Sequence, residues 1–283
     1  MKSRNTWILA LAVLATFGLV VALPLTPVFS AGSTIVVTPT NQQGWSTADT
    51  RPGGAVNFVA DSTAPGGTGA LQLTTDATTS AKAQYMHAAN TPIGDVTELS
   101  YYTRQISGPP FADPSFQLPV CLSGLTTPTP SNPTGCLGFT TFVFEPYQNN
   151  GSGTPFPLIV PNVWQQWDVD AGQFWSSRTY ADGTCSVVAG AGGPPFYSLA
   201  TIEAMCPNAV VVGFGVNVGT FNPAYNVYTD LVNFNGTTYD FEQFQVATAA
   251  GQCKNGGHAN VKRADGSSFK NQGDCIQYVN TGK

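Results

Sequence analysis

The segment Val163-Trp164-Gln165-Gln166-Trp167-Asp168-Val169 has residue types suited to molecular recognition. Read with a period of two, Val163, Gln165, Trp167 and Val169 share one face, while Trp164, Gln166, Asp168 and Asp170 share the other. Trp167 then belongs to a core, and Trp164 stands among amides and carboxylates. A two-residue turn at Ala171-Gly172 would pair Asp168 with Trp175 and Asp170 with Gln173, bringing Trp175 to the same outward face. Two indoles beside such groups suit a sugar, whose C–H face stacks on an aromatic plane and whose hydroxyls need planar hydrogen-bond partners. The bland alternative is that another layer covers both rings. In Val210 to Gly219, the even positions are large and apolar, whereas Gly213, Gly215, Asn217 and Gly219 are bare or small. Such a strand can floor a groove. The expected ligand-binding residues are Trp164, Gln166, Asp168, Trp175 and Asn217.

Carboxylates are the plentiful candidates for catalysis: Glu98, Glu145, Asp168, Asp170, Glu203, Asp230 and Glu242. A glycosidase needs two of them about 5 to 10 Å apart across a cleft. Glu145 and Asp168 form a conceivable pair, but nothing separates them from solvated surface carboxylates. There is no Gly-x-Ser-x-Gly, and two histidines without a framing motif do not make a triad. No residue is therefore assigned to catalysis. The six cysteines lack C-x-x-C spacing, which argues against the usual zinc sites. No cofactor is called for, although Asp230 with Asp49 or Asp61 could contribute to a structural calcium site, since hard oxygen ligands suit that ion.

These residues need a scaffold, and the chain around them has the marks of an exported one. Lys2 and Arg4, an apolar run from Trp7 to Leu25, and small residues at Val28-Phe29-Ser30-Ala31 form a secretory leader over residues 1–31. Protein downstream is then secreted, extracellular or at the cell surface, and touches a membrane only through the leader if that is uncleaved. Six cysteines behind such a leader argue for disulfides, and local pairing gives Cys121–Cys136, Cys185–Cys206 and Cys253–Cys275. Between leader and Cys253, four basic residues face fourteen acidic ones, which argues against nucleic acid as a partner. From Cys253 onward the balance reverses, with five basic residues and two acidic ones.

Charged residues make up only 10% of the chain, beside 30 glycines and 21 prolines, a composition for short strands and many turns. Strands are expected at Gly69 to Thr74, Glu98 to Ile106, Phe139 to Phe144, Trp164 to Val169, Gln173 to Tyr180 and Val210 to Val218. Asn235-Gly236 predicts a type I′ hairpin that places Val232 opposite Tyr239 and Phe234 opposite Thr237. Ser198 to Met205 reads as a short helix stopped by Pro207. Asn150-Gly151-Ser152 and Asn235-Gly236-Thr237 match the glycosylation sequon, the second being better explained by its turn. The fold class is all-β: an antiparallel two-sheet sandwich of jelly-roll or concanavalin-like kind, with a small disulfide-closed C-terminal appendage. Its expected divisions are a signal peptide at 1–31, a β-sandwich domain at 32–246, a linker at 247–252 and a basic tail at 253–283.

Cys253-Lys-Asn-Gly-Gly257, Ser268-Phe-Lys-Asn-Gln-Gly273, Cys275, Tyr278 and Val279 together resemble a tail found at the C-terminus of many otherwise unrelated secreted bacterial proteins. His258 stands where that tail more often has an aromatic residue. The body, with "FTTFVFEPY", "WQQWDVD" and "NGTTYDFE", resembles uncharacterised exported bacterial β-sandwich proteins. These readings favour a non-catalytic extracellular protein that binds glycan or builds a cell-surface or matrix structure, its partner a polysaccharide or cell-surface polymer. The alternative is a carbohydrate-active enzyme, a glycoside hydrolase or polysaccharide lyase using paired carboxylates.

Overall fold

The computed structural model describes residues 32–109, 112–150 and 154–283, so the leader expected at 1–31 lies outside the described residues. In chain order the first strands are β1 (Ser33–Val37), β2 (Trp45–Ser46), β3 (Gly54–Ala60), β4 (Gly69–Thr75), β5 (Ala83–Pro92) and β6 (Leu99–Ser107). They are followed by β7 (Ser115–Cys121), β8 (Phe139–Phe144), helix α1 (Pro146–Asn149), β9 (Gln165–Asp168), β10 (Phe174–Ser176), β11 (Tyr180–Ala181), β12 (Ser186–Val187) and β13 (Phe196–Tyr197). Helix α2 (Leu199–Met205) precedes β14 (Val210–Val218), β15 (Asn226–Phe234), β16 (Thr237–Phe241) and β17 (Gln245–Val246). The chain closes with α3 (Ala250–Cys253), β18 (Val261–Lys262) and α4 (Gln272–Thr281).

Two seven-stranded sheets make the sandwich. In the first, β15 lies beside β6 along its length, and β6 carries β9 at its other edge. The opposite edge of β15 is shared: its first half pairs with β4 and through it β3, its second half with β16 and then β1. All these pairs are antiparallel except β1 with β16. The second sheet runs β13-β10-β8-β7-β14-β5-β2, antiparallel throughout.

Alternation supplies the core. Phe116, Leu118 and Val120 of β7 and Phe142 and Phe144 of β8 are fully buried and meet the inward residues of the first sheet. Tyr101 stands edge-on to Phe116 across the gap at 5.5 Å, and Phe214 stacks on Phe234 at 4.4 Å. Trp45 joins the sheets at the other side, against Tyr85, Phe214, Tyr239 and Phe241 at 5.1 to 5.5 Å. Each such aromatic pair adds about 0.5–1.5 kcal/mol beyond its buried area.

Local signals carried through where local physics decides. β15 and β16 form the Asn235-Gly236 hairpin, both turn residues at positive φ, with Val232 opposite Tyr239 and Phe234 opposite Thr237. The Asn235 amide is fully engaged, accepting from the Thr97 N–H and donating to the Asp95 carbonyl. Ser198 caps α2 by accepting from the Thr201 N–H. Disulfides join Cys121 to Cys136, Cys185 to Cys206 and Cys253 to Cys275.

The C-terminal segment has its own apolar cluster of Ala247, Cys253, Val261, Phe269 and Cys275, with Ile276, Tyr278 and Val279 packed on it. β18 pairs in parallel with β17. The tail motif residues are structural: Asn255 and Gly256 take positive φ, and the Asn271 side chain caps α4 by accepting from the Asp274 N–H. Arg263 lies over the Phe269 ring at 4.6 Å and forms an ion pair with Asp274 at 2.6 Å.

Candidate ligand-binding groove

The chain does not turn back at Ala171-Gly172. β9 pairs with β6, placing Asp168 opposite Ser100, while β10 pairs with β8 and β13, placing Trp175 opposite Val143 and Phe196. A 3-10 turn at Val169–Ala171 carries the backbone from the first sheet to the second. The expected pairing of Asp168 with Trp175 is thus corrected, because Val169, Trp167 and Phe174 are all buried and the crossing passes through the core. Trp164, Gln166 and Asp168 stay with the first sheet; Trp175 and Asn217 belong to the second. Trp167 is a core residue, as its alternation implies, and donates to the Thr103 hydroxyl at 2.7 Å.

On the first sheet several polar groups bond to one another. Gln166 accepts from the Tyr102 hydroxyl at 2.9 Å. The Trp164 ring is partly covered, with its N–H buried and without an acceptor. Asp168 titrates above the ordinary range, first because of partial burial and then because Asp170 lies beside it. Among the described residues no pocket forms around Trp164.

The outer face of the second sheet carries a groove of about 720 Å³. Its floor is made by the outward residues of five strands: Gln84 and Met86 of β5, Gly213 and Asn217 of β14, Ser115, Gln117 and Pro119 of β7, Thr141 and Val143 of β8, and Trp175 of β10. A bulge shapes the middle. Between Val211 and Gly213 the register of β14 shifts against β5 and, by Gly215, against β7. In consequence Val211, Phe214, Val216 and Val218 face the core while Val212 and Gly213 line the groove. This corrects the expectation that every even position points inward; one inserted residue reverses the parity before it. A Cβ at Gly215 would stand 2.2 Å from the Tyr85 carbonyl and 2.7 Å from the Met86 sulfur, so only a bare position lets Met86 lie there.

Trp175 is held in place. Its indole N–H donates to Glu145 Oε2 at 2.8 Å, and Glu145 stands at the N-cap of α1 immediately after β8. Asn149 of α1 bonds both ways with the backbone of Gln173, accepting at 2.7 Å and donating at 3.0 Å, which ties α1 to the start of β10. Burial pushes the Glu145 carboxyl up, against the lowering effect of the Trp175 hydrogen bond. Beyond β7, Asp113 accepts from the Thr103 hydroxyl at 2.7 Å, and burial pushes it up to about 7; its other oxygen is buried without a partner. Across the floor, the Asn217 amide donates to Gln84 at 3.2 Å, Ser115 donates to the Asn217 carbonyl at 3.2 Å, and Gln117 donates to Ser115 at 2.8 Å.

Gln84, Gln117, Asp113 and the groove role of Glu145 were not among the residues expected from sequence. Gln84 and Met86 do alternate with Ala83 and Tyr85, and Ser115 and Gln117 with Phe116 and Leu118, so the outward positions were marked. That these strands flank β14 was not. The three acids considered for calcium each have protein donors or cations: Asp49 has Lys82, Asp61 has Arg104 and Thr63, and Asp230 has the N–H groups of Gly66 and Phe241. Among the described residues no three metal-ligating side chains gather.

No protein-family model matches the chain, and no curated protein matches it. Among solved structures it is similar to the family 11 carbohydrate-binding module of the cellulosomal cellulase Lic26A-Cel5E of Clostridium thermocellum, at 11% identity and a TM-score of 0.36 over 68% of this chain and 86% of that one. A family 11 module from Clostridium thermocellum in complex with a β-1,3-1,4-mixed-linked tetrasaccharide gives 9% identity and a TM-score of 0.37, over 71% and 91%. These likenesses assign neither a ligand nor a site here.

Proposed function

We propose that this is a secreted, non-catalytic extracellular protein that binds a polysaccharide or cell-surface polymer in the groove of its second sheet. The observation that supports this reading is the fixed Trp175 ring beside a row of amides and hydroxyls. The indole offers an apolar plane to a sugar's C–H face, and its N–H is already spent on Glu145, so the plane is oriented before ligand arrives. Gln84, Ser115, Gln117, Thr141 and Asn217 line the same floor and supply donors and acceptors for hydroxyls. Of the five residues expected from sequence, Trp175 and Asn217 keep their binding role in this reading. Trp164, Gln166 and Asp168 are released from it. Affinity electrophoresis through gels containing soluble polysaccharides tests the proposal: the parent should be retarded by at least one polymer, and Trp175→Ala should migrate freely while keeping its fold. Retardation untouched by Trp175→Ala and Gln117→Ala would move the site elsewhere.

One observation favours the enzymatic alternative. Asp113 and Glu145 both line the groove, and burial raises both carboxyls, as general acids require. Release of reducing or unsaturated ends from the bound polymer, abolished in Asp113→Asn and Glu145→Gln, would establish a carbohydrate-active enzyme. Binding without any such release establishes the non-catalytic role.

A further inference from the structure

Between residues 32 and 252 the only cationic side chains besides histidine are Arg51, Lys82, Arg104 and Arg178, against fourteen acidic ones. Any patch drawn from that composition would be acidic by default, yet three of the four cations line one groove: Arg51, Lys82 and Arg178. The fourth, Arg104, is spent on the other sheet in an ion pair with Asp61 at 2.8 Å. Such concentration in an otherwise anionic body points to a negatively charged occupant.

Of the groove's carboxyls, Asp49 pairs with Lys82 and offsets its charge, Asp113 is buried and accepts from the Thr103 hydroxyl, and Glu145 accepts from the Trp175 N–H, so the charge left open is that of Arg51 and Arg178. Burial also pushes the Asp113 and Glu145 carboxyls up, Asp113 to about 7. Arg51 and Arg178 are exposed, and among the described residues neither has an acidic partner. Both are anchored. The Arg51 N–H donates to the Lys82 carbonyl at 2.9 Å, which sets those two residues side by side at the start of β5. The Arg178 N–H donates to the Thr140 hydroxyl at 3.1 Å, and its guanidinium lies over the Phe139 ring at 5.2 Å.

The two cationic positions lie on opposite flanks. From β10, beside Arg178, to β5, beside Arg51 and Lys82, the sheet steps across β8, β7 and β14, four intervals of about 4.8 Å each. A small anion cannot touch both flanks, whereas a polymer bearing repeated carboxylates can. Guanidinium groups bind carboxylates through paired N–H donors in a fixed plane. Resting on the groove reading above, we infer that the ligand is an acidic polysaccharide, its uronate carboxylates meeting Arg178 on one flank and Arg51 on the other while a sugar ring lies on Trp175.

The test is titration calorimetry of the full chain against polygalacturonate, alginate and hyaluronan, with the fully methyl-esterified form of each polymer as its neutral counterpart and a single-stranded oligonucleotide as a non-glycan polyanion. At least one acid form should bind about tenfold or more tighter than its ester, the gap closing at 0.5 M salt because exposed charges are screened. Arg51→Ala and Arg178→Ala should each weaken the acid form about fivefold and leave the ester unchanged. Equal affinity for acid and ester forms, indifference to both arginine variants, or equally tight oligonucleotide binding would each overturn the inference. If neutral β-glucans bind best and Trp175→Ala removes that binding, the acidic ligand is lost but the glycan groove stands. If no polysaccharide binds at all, both fall.

Discussion

The outer faces of the two sheets alternate in the same way and carry similar residue types, yet among the described residues they use their polar groups differently. On the first sheet Tyr102 bonds to Gln166, Gln72 to Asn226, Asn233 to Thr238 and Arg104 to Asp61, each pairing neighbours on adjacent strands or the adjoining loop. On the second, amides and hydroxyls still link to one another, but an indole is held by Glu145, a bulge bares the centre of the floor, and among the described residues two arginines have no acidic partner. Side-chain pairing within a sheet stabilises it by fractions of a kcal/mol per pair. A surface that forgoes some of that pairing keeps its donors for something else. Connections differ too: both body disulfides fall in segments joining strands of the second sheet, β7 to β8 and β10 to β14, and none touches a strand of the first.

The contrast can be broken most sharply at the tryptophans. Trp167→Ala should cost about 3–5 kcal/mol in chemical denaturation, since a fully buried ring and its bond to Thr103 are lost together. A cost under about 1 kcal/mol would mean that the inward and outward faces are wrongly assigned. Replacing Cys185 and Cys206 by Ser should remove about 2–4 kcal/mol by releasing a 21-residue loop in the unfolded chain. Hydrogen exchange should then quicken in β8 and β10 before β4 and β15; the reverse order would deny that the groove sheet depends on its cystines.

Asp113 predicts a pH dependence. Its native carboxyl holds a proton up to about 7, whereas the unfolded chain releases it near 3.8. The native state therefore binds more protons, and stability contributed by the neutral form is full below about 4 and lost as pH rises to about 7. Asp113→Asn should flatten that fall by about 3 kcal/mol, read from urea denaturation at pH 4.5 and 7.5. An unchanged slope would show that Asp113 is ionised in the folded protein. The smallest effect distinguishes the two partly covered indoles: Trp175→Ala should weaken polysaccharide binding by about 1–3 kcal/mol, and Trp164→Ala should leave it unaltered. Equal losses would restore Trp164 to the site.

Legibility followed the range of the interactions involved. Phe139–Phe144 and Val210–Val218 were readable as strands to the residue, because six and nine residues of β-branched and aromatic character bury a face wherever they go. The short helix over Ser198 to Met205 and the turn at Asn235-Gly236 were equally plain, each being settled by residues close in the chain. The strand expected from Gln173 to Tyr180 ends at Ser176, where the Ser177 and Arg178 N–H groups turn to Thr141 and Thr140. Of the candidate site, Trp175 and Asn217 could be named, but their partners Glu145 and Gln84 are 30 and 133 residues away, and one chain shows no sign of such distances.

Alternation, turn chemistry and an even set of locally spaced cysteines determined that this protein is an all-β sandwich with a cystine-closed tail. Those features act through the covalent neighbourhood, so they are present before any sheet forms. Whether Val169–Ala171 folds back or crosses to the other sheet depends on which way Trp167 and Phe174 can both be buried, a choice open only once two sheets exist. The same holds for the bulge at Val211–Gly213, whose parity is read against partners on β5 and β7. The groove follows from those choices, which is why Trp164 and Trp175, eleven positions apart in the chain, stand on different sheets.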